Sequence, residues 1–458
     1  MTYVDHVMRV LATEGETEIL VCGERRITRA QAREQVLRFA DGLHQRGVRP
    51  GDGVGVFMGN RPETVLVNLA VHLLGARLVF VPPEPGASEL RGLVDHADVK
   101  GVVVDPSFDT RLDGWPISEL PFDHVERNGV SGYGTVLYTG GTTGLPKLAH
   151  HGDTMYETFG KIGQAPTNAL ISTLLTHGSG HVAAIRGLLS GSKVVLMPST
   201  FDADVFTELV RQEDIRTTAL VPPMLYEVLD HPDCPGRGQF DAIRLGGSPV
   251  APARLLQAIE RFGPVIWQAY GMSEAGSVTQ MDPAWIDPDR PDTLRTCGKR
   301  TEWTEVEIRD GDVHVRGPLV MKGYWGHEPV DGWFNTGDVG YFDDEGFLYL
   351  VDRSKDVIVT GKTSDNVYSR LLDDFLVTLP GIRQAAAVGV PDDRFGEAVA
   401  VFLVADRELD ISGLKAAVVE ELGELYEPRD VTFVDRLPVT RVGKVDKKAL
   451  RSTVGQTS

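Results

Sequence analysis

The sequence has few cysteines and fewer basic than acidic residues. Its three cysteines, Cys22, Cys234 and Cys297, are an odd number at distant positions, without the spacing of metal ligands. They are therefore expected to be reduced thiols, which is typical of a cytoplasmic protein. Lysine and arginine total 46 against 65 acidic residues, for a formal net charge of -19 at pH 7. Because binding to a nucleic-acid backbone needs a basic face, this balance argues against a nucleic-acid partner.

The sequence also lacks long apolar runs. No stretch approaches the length needed to cross a membrane, and the first residues show no basic segment followed by an apolar one. We therefore predict no membrane span, no signal peptide and a cytoplasmic location. With 458 residues, of which 42% are hydrophobic and 24% charged, the chain has a globular composition and is long enough for two or more domains.

Strands and helices alternate through the first two thirds of the chain. Apolar strands at 54–58, 78–81 and 102–104 alternate with helical patterns, the first of which spans 27–47 with Thr28 as a candidate N-cap. This alternation predicts a doubly wound α/β layer. In such sheets, ligands bind beyond the carboxyl ends of the strands.

The pattern changes to short β-strands in the last third. Period-two alternation at 306–309 and 313–316 predicts a hairpin, and a charged bridge at 352–356 precedes a β-α-β-β-α pattern. We therefore predict an α/β protein with a small second domain. Its parts are a large N-terminal domain of doubly wound sheets with a β-rich subdomain at 1–352, a hinge at 353–356, and a small α+β C-terminal domain at 357–458.

A loop rich in glycine and threonine follows the predicted strand at 134–137. Without a Cβ, its glycines let the backbone approach a ligand closely, while its threonines add hydroxyl donors and its lysine adds a positive charge. Such a loop suits a polyphosphate, although it is not a Walker A loop, in which Gly, Lys and Ser or Thr are consecutive. A surface turn is the alternative. The residues concerned are Thr139, Gly140, Gly141, Thr142, Thr143, Gly144 and Lys147.

Two histidines, His177 and His181, are four residues apart, a spacing that on a helix would place both on one face as metal ligands. The intervening Gly-Ser-Gly argues against a helix, and no third ligand is apparent. Lining of a substrate pocket is therefore the preferred interpretation, and an ordinary loop histidine is the alternative.

Together, these motifs resemble the AMP-forming adenylate ligases, which include acyl- and aryl-CoA synthetases, peptide-synthetase adenylation domains and luciferases. The resemblance spans nearly the whole chain and follows the order of the family's motifs. Its segments are the loop at 139–147, Gly246-Gly247-Ser248-Pro249, Tyr270-Gly271-Met272-Ser273-Glu274, Gly337-Asp338, the bridge at 352–356 and Gly443-Lys444. The first segment looks most like that of the aryl-acid-activating branch.

The resemblance implies ATP and Mg²⁺ as cofactors. The 139–147 loop would hold the β- and γ-phosphates, Asp338 would accept the ribose hydroxyls, and Glu274 would hold Mg²⁺. Besides that loop, the nucleotide contacts would be Gly246, Gly247, Ser248, Tyr270, Gly271, Met272, Asp338 and Arg353. The catalytic residues would be Lys444, His177 and Ser273, of which Ser273 would donate to the α-phosphate. Among them, Lys444 would offset the charge that grows as a carboxylate meets the α-phosphate.

The implied reaction has two steps. A small carboxylic acid, aryl or short, would attack the α-phosphorus of ATP to give an acyl-adenylate and pyrophosphate. The acyl group would then pass to CoA or to the pantetheine of an acyl carrier protein. In the family, the small domain rotates about a hinge between the steps, so 357–458 is expected to be mobile with Lys355 at the hinge. A compact, mostly apolar pocket would be lined by His177, Gly178, Ser179, Gly247, Met272 and Ala275.

Departures from the family's pattern concern the second step. The segment 361–368 is longer than usual, and Ser369-Arg370-Leu371-Leu372-Asp373 replaces Pro-x-Glu-x-Glu in a region that helps form the thiol tunnel. The alternative is therefore a non-thiol acceptor, either an amine in amide formation or nitrite activation to diazotise an aryl amine in a natural-product pathway. A third reading is a non-catalytic nucleotide-binding homologue, against which Glu274, Asp338 and Lys444 argue.

Overall fold

The structure is a computed structural model that describes residues 1–83, 85–120, 123, 125–139, 147–163, 165–361, 365–392, 394, 396–439 and 445–454. The chain divides into two compact units. Unit 1 comprises Met1–Val306 and Val315–Phe334, and unit 2 comprises Glu307–His314 and Asn335–Ser458. The mixed α/β architecture predicted from the sequence is confirmed.

The helices of unit 1 alternate with its strands. They are α1 (Tyr3–Leu11), α2 (Arg29–Gln45), α3 (Pro62–Leu73), α4 (Ala87–His96), α5 (Asp153–Lys161), α6 (Gly178–Ser190), α7 (Ala203–Gln212), α8 (Pro222–Asp230) and α9 (Pro252–Phe262). Helix α2 has Thr28 as its N-cap, as predicted: the Gln31 N–H donates to Thr28 Oγ1, and the Thr28 N–H donates to Gln31 Oε1. This capping box satisfies N–H groups that otherwise have no partner at the start of the helix.

The strands form two large sheets in unit 1 and smaller sheets elsewhere. In chain order they are β1 (Glu18–Cys22), β2 (Arg25–Thr28), β3 (Gly53–Phe57), β4 (Arg77–Phe80), β5 (Val99–Val104), β6 (Trp115–Pro116), β7 (Gly134–Thr139), β8 (Lys147–Gly152), β9 (Asn168–Ile171), β10 (Lys193–Leu196), β11 (Thr217–Leu220), β12 (Ala242–Leu245), β13 (Ile266–Met272), β14 (Gly276–Met281), β15 (Lys299–Arg300), β16 (Glu305–Arg309), β17 (Asp312–Arg316), β18 (Gly323–Tyr324), β19 (Phe334–Phe342), β20 (Leu348–Arg353), β21 (Ile358–Thr360), β22 (Asp365–Val367), β23 (Ile382–Asp392), β24 (Gly396–Ala405) and β25 (Asp430–Phe433).

Both large sheets are built around parallel strands. One has the order β15-β14-β13-β12-β11-β9-β10-β1-β2 and is parallel from β13 to β1. The other has the order β18-β8-β7-β4-β3-β5-β6 and is parallel from β7 to β6. Because helices cover such strands on both faces, they read as continuous apolar runs, and all residues of β3 are buried. Among the described helices, none is long and apolar enough to cross a membrane.

A chain of hydrogen-bonded side chains crosses the core of unit 1. Tyr3 OH lies 2.6 Å from His72 Nδ1, and His72 Nε2 lies 3.1 Å from Thr135 Oγ1. Tyr156 OH lies 2.5 Å from Thr135 Oγ1 and 2.7 Å from His181 Nε2. Burial lowers the pKa of both His72 and His181 to about 3, so both rings are neutral near pH 7.

These neutral histidines predict a loss of stability in acid. The pKa of His72 falls from 6.5 to about 3 on folding, so the unfolded chain takes up the proton first and stability is lost as the pH falls below about 6.5. One such histidine accounts for about 1 kcal/mol between pH 7 and pH 5.5. We expect His72→Asn to reduce this pH dependence in urea unfolding, whereas His96→Asn, at an exposed position, should not. Equal pH dependence in His72→Asn and wild type would contradict this.

Unit 2 combines three small sheets with helices. The sheets have the orders β16-β17-β19-β20, β21-β22 and β23-β24-β25, and the helices are α10 (Ser369–Leu376), α11 (Ile411–Leu422) and α12 (Lys447–Val454). Helix α10 packs on both β20 and β23, which is why the strands from Asn335 onward group with the C-terminal residues. The boundary between the compact units thus falls earlier than 353–356. The boundary between compact units does not locate the point about which they move, so the hinge at 353–356 stays a prediction.

Candidate active site

The residues predicted to contact the α-phosphate and Mg²⁺ lie in a tight turn of unit 1. Ser273 and Glu274 separate β13 from its antiparallel neighbour β14. Strand β13 continues through Met272 because it pairs with β14 there. Gly271 is required by packing, since a Cβ at this position would lie 2.2 Å from the Gly276 carbonyl oxygen. The turn follows the carboxyl end of a parallel strand, where α/β sheets bind ligands.

His151 on β8 supports this turn from within the core. It is 1% exposed, and its Nε2 lies 2.6 Å from the Ser273 carbonyl oxygen. Burial lowers the pKa of His151 to about 4, so the ring is neutral, and because a carbonyl oxygen only accepts, Nε2 carries the proton. His151 therefore positions Ser273, a role that the sequence does not reveal.

Tyr324 on β18 holds the Glu274 carboxylate. Its hydroxyl donates to Glu274 Oε1 at 3.0 Å, and the Met321 N–H donates to the Glu274 carbonyl oxygen at 2.7 Å. Burial raises the pKa of Tyr324, and the charge of Glu274 raises it further, so the phenol stays protonated and keeps donating. Lys147 Nζ lies 4.7 Å from the centre of the Tyr324 ring. One tyrosine thus contacts two residues, Lys147 and Glu274, that the sequence assigns to the phosphates and the metal.

The predicted phosphate loop joins two adjacent strands. Thr139 ends β7, Lys147 begins β8, and the two residues are partners in the antiparallel register. The predicted phosphate contacts within the loop lie outside the described residues, so their role stays a prediction; they are Gly140, Gly141, Thr142, Thr143 and Gly144. Lys444 lies outside the described residues as well.

The Glu274 carboxylate is a ligand of the kind that Mg²⁺ prefers. No group of three or more His, Cys, Asp or Glu side chains that could hold a metal occurs within the described residues. Mg²⁺ does not need one, because it is commonly bound by one or two carboxylates together with substrate phosphates. The alternative of a His177–His181 metal pair is wrong, since His181 is buried and bonded to Tyr156.

The segment at His177 differs from the sequence-based expectation. It was expected not to be helical, but α6 begins at Gly178 with His177 as its N-cap. Gly180 allows this because a Cβ there would lie 2.2 Å from the Leu174 carbonyl oxygen, so the glycine serves close packing. The His177 ring stacks on Tyr138, with ring centres 5.9 Å apart.

The other predicted pocket residues vary in exposure. Ser179 and Gly247 are exposed, Gly178 and Met272 are partly buried, and Ala275 is fully buried. Gly246, Gly247 and Ser248 directly follow β12, and Gly247 has a φ of +89°, a conformation that favours glycine. That these residues line one pocket stays a prediction.

In unit 2, the structure brings together two residues predicted to contact the nucleotide. Asp338 and Arg353 are partners in the register of β19 and β20, and Arg353 Nε lies 2.7 Å from Asp338 Oδ1. Asp338 is 4% exposed, and its N–H donates to Thr336 Oγ1 at 3.1 Å. The pairing of β19 with β20, the ion pair with Arg353 and the bond to Thr336 therefore hold Asp338 in one orientation.

A polar cluster anchors the helix that follows Lys444. Lys447 Nζ donates to Asp373 Oδ2 at 2.7 Å and to Ser369 Oγ at 2.8 Å. Ser369 Oγ in turn donates to Asp352 Oδ2 at 2.8 Å. The cluster ties the start of α12 to Asp352, the residue that precedes the predicted hinge, and no motif in the sequence indicates it.

Comparison with known proteins decides the family. The family described as AMP-binding enzyme matches residues 8–325, and the AMP-binding enzyme C-terminal domain matches residues 372–444. The chain belongs to the AMP-binding enzyme family. The resemblance found in the motifs is thereby confirmed, as is the classification as an AMP-forming ligase.

Ligases of this family are similar to the chain over most of its length. The medium/long-chain-fatty-acid–CoA ligase FadD8 of Mycobacterium tuberculosis is 30% identical, with 95% of this chain and 87% of the relative covered. The amide bond synthetase McbA from Marinactinospora thermotolerans has a TM-score of 0.85 and 30% identity, covering 99% of this chain and 100% of that chain. The O-succinylbenzoate coenzyme A synthetase MenE from Bacillus subtilis, in complex with ATP and magnesium ion, has a TM-score of 0.85 and 25% identity, covering 99% of each chain.

The bond from Tyr324 to Glu274 predicts a measurable effect in this AMP-binding enzyme. We expect Tyr324→Phe to lower kcat/KM for pyrophosphate exchange about tenfold, because a hydrogen bond to a charged group contributes about 1.5 kcal/mol. The half-saturating Mg²⁺ concentration should rise, since the Glu274 carboxylate is no longer oriented. Tyr341→Phe is the matched control, because Tyr341 is exposed and stacks on Tyr349. Wild-type Mg²⁺ dependence in Tyr324→Phe would show that Glu274 needs no such support.

Proposed function

We propose that the protein uses ATP to activate a small carboxylic acid, aryl or short-chain, and transfers the acyl group to a thiol. The carboxylate oxygen attacks the α-phosphorus, and the bond to pyrophosphate breaks. The thiol of CoA or of carrier-protein pantetheine then attacks the acyl carbon, loses its proton and displaces AMP. The observation that carries this proposal is Glu274, held by Tyr324 beside Lys147 at the end of the phosphate loop. MenE in complex with ATP and magnesium ion, and FadD8 as a CoA ligase, support it.

Each residue of this cluster has a separate task in the proposal. The Glu274 carboxylate would hold Mg²⁺, which when bound neutralises part of the phosphate charge. Lys147 contributes a positive charge near the same phosphates, and Ser273 donates a hydrogen bond to the α-phosphate. His151 fixes the backbone of Ser273, so the donor does not need to reorganise during the reaction.

The proposed acid is small because the predicted pocket has small walls. Glycine, serine and alanine predominate among the pocket residues named above, and His177 is stacked on Tyr138 at the start of α6. A flat ring or a short branched chain suits such a slot better than a long acyl chain. FadD8 is a medium/long-chain-fatty-acid–CoA ligase, so acids of different chain length distinguish the proposed pocket from that of this relative.

ATP–pyrophosphate exchange across aryl, short branched and long-chain acids tests the proposal. We expect exchange with aryl or short acids that requires both ATP and Mg²⁺. Exchange with long-chain acids alone would contradict the proposed substrate class. No exchange with any acid, together with ATP binding, would instead favour the non-catalytic homologue.

The acceptor in the second step has a second candidate, an amine. McbA is an amide bond synthetase, and the segment that departs from the family's thiol-tunnel pattern has its own structural roles here. Thr360 pairs with Asp365 across this segment, and residues 362–364 lie outside the described residues. Ser369 and Asp373 in the same segment bind Lys447.

We therefore expect free CoA to be a poor acceptor. With the preferred acid, acyl-CoA formation should be at least about tenfold slower than adenylation, because a nucleophile misplaced by a small distance reacts much more slowly. Separate assays of adenylate, acyl-CoA and amide formation decide the acceptor, with carrier-protein pantetheine tested alongside. Thioester formation on free CoA that keeps pace with adenylation would restore an ordinary acyl-CoA ligase.

A further inference from the structure

Two partly buried arginines lie near each other in unit 1. Arg244 is on β12, just before Gly246, and Arg186 is on α6, the helix that begins after His177. Helix α6 packs on β9, β10 and β11, and β11 is the direct neighbour of β12. Burial lowers the pKa of Arg186 to about 10, and the charge of Arg244 is the second cause, which places the two cations within electrostatic reach. Helix α6 carries the predicted pocket residues Gly178 and Ser179, and the predicted pocket residue Gly247 follows the end of β12.

Arg244 has no anionic partner within the part of the chain that the structure describes. Its neighbours in the strand register are Ala219 and Trp267, and its guanidinium carbon lies 6.0 Å from the centre of the Trp267 ring. Burial alone lowers the pKa of Arg244, with no contribution from a carboxylate. A partly buried guanidinium with several N–H donors and no acceptor is unfavourable. The Arg244 guanidinium would therefore be stabilised by an anion.

Two other partly buried arginines of unit 1 are matched by acids. Arg61 is paired with Glu63 and with Asp105, and Arg127 is paired with Asp41. Arg46 has no ion pair but donates to the Gly42 and Glu119 carbonyl oxygens, whereas Arg244 has neither kind of partner within the described residues. Since a ligand can reach a side chain that is only partly buried, a bound anion would supply the partner that Arg244 lacks.

We infer that Arg244, helped by the charge of Arg186, binds a second anionic group of the acid, remote from the carboxylate that is activated, so that the preferred substrates are dicarboxylic acids. This inference rests on the proposed function and refines it, because it places a cationic position near a pocket that is otherwise expected to be apolar. The planar guanidinium suits a carboxylate, to which it donates two parallel hydrogen bonds. O-succinylbenzoate, for which MenE is named, has two carboxylates, which supports the chemistry.

Matched pairs of acids test this inference. Each pair has a dicarboxylic acid and its monocarboxylic counterpart: phthalate and benzoate, glutarate and pentanoate, and 2-succinylbenzoate and 2-butanoylbenzoate. For at least one pair, we expect kcat/KM for pyrophosphate release to favour the diacid at least about tenfold, the usual effect of a hydrogen-bonded charge. Arg244→Gln should bring that ratio close to one. Arg254→Gln is the matched control, because Arg254 is on α9 and its charge is paired with Asp230.

Thermal unfolding provides a second measurement that does not depend on turnover. Without ligand, Arg244→Gln should be at least as stable as the wild type, because it removes an uncompensated charge that repels Arg186. The favoured diacid, with ATP and Mg²⁺ present, should raise the Tm of the wild type more than that of Arg244→Gln. This measurement also decides the inference if no acid releases pyrophosphate, an outcome that would contradict the proposed function.

Three results would overturn the inference. The first is a wild-type enzyme that prefers the monoacid in every pair. The second is an equal loss of activity with both members of a pair in Arg244→Gln, accompanied by a rise in KM for ATP. That result would mean that Arg244 binds the nucleotide. The third is an equal Tm shift by the diacid in wild type and Arg244→Gln.

Discussion

Lys444→Ala should lower the rate of adenylate formation at least about a hundredfold and leave ATP binding nearly intact. Two anions meet when the carboxylate attacks the α-phosphate, and a positive charge at that point stabilises the transition state more than the bound nucleotide. A residue that acts in this way lowers kcat when it is removed, with little effect on ground-state affinity. Pyrophosphate exchange measures the rate, and calorimetric titration with ATP measures binding.

Lys448→Ala is the control for this experiment. Lys448 is an exposed lysine of the same C-terminal segment, so its removal changes the local charge equally. It should leave exchange close to the wild-type rate. Wild-type exchange in Lys444→Ala, or a parallel loss in both variants, would remove Lys444 from the chemistry and make it an ordinary surface lysine.

The sequence predicts the parts of the site that depend on local order along the chain. The N-cap at Thr28 and the strand that precedes the loop at 139–147 follow from residues close to each other in sequence. The supporting residues of the site could not be predicted in this way. His151 contacts Ser273 across 122 positions, and Tyr324 contacts Glu274 across 50, so only the folded sheets bring them together.

The start of α6 shows how packing overrides local propensity. Glycines disfavour a helix, and the Gly-Ser-Gly after His177 therefore predicts a loop. In the structure, α6 nevertheless forms, because a residue with a Cβ at position 180 would collide with the Leu174 carbonyl oxygen and glycine does not. His181 consequently faces the core, where it bonds to Tyr156.

The departures from the family's pattern also look different in the structure. From the sequence, Ser369 and Asp373 suggest only that a thiol tunnel is altered. In the structure, both side chains bind Lys447, and Arg451 Nη2 lies 2.9 Å from Asp356 Oδ1 in the predicted hinge segment. Substituted family positions therefore acquire a role in holding α12, the helix that follows Lys444.

This role leads to the second large effect: Lys447→Met should lower the free energy of unfolding by about 3 kcal/mol, the scale expected when one partner of a largely buried ion pair is removed. Lys447 and Asp373 have side-chain exposures of 15% and 19%, and among the described residues the variant would leave the Asp373 carboxylate with one donor, the Ala387 N–H. Lys448→Met on the same helix is the matched control. Urea unfolding followed by circular dichroism gives both values.

The pH dependence of this loss identifies its cause. Burial raises the pKa of Asp373 to about 6, and Lys447 opposes that rise, so removing the lysine should raise the pKa further. Since a carboxyl with a raised pKa favours the folded state when protonated, its contribution is present in acid and is lost as the pH rises through the folded-state pKa. Lys447→Met should therefore be closer to the wild type at pH 5 than at pH 8. Adding Asp373→Asn should recover part of the stability at pH 8, because the neutral amide needs no counter-ion. A loss that is equal at both pH values, and additive in the double variant, would mean that Lys447 acts through packing of its alkyl chain and not through its charge.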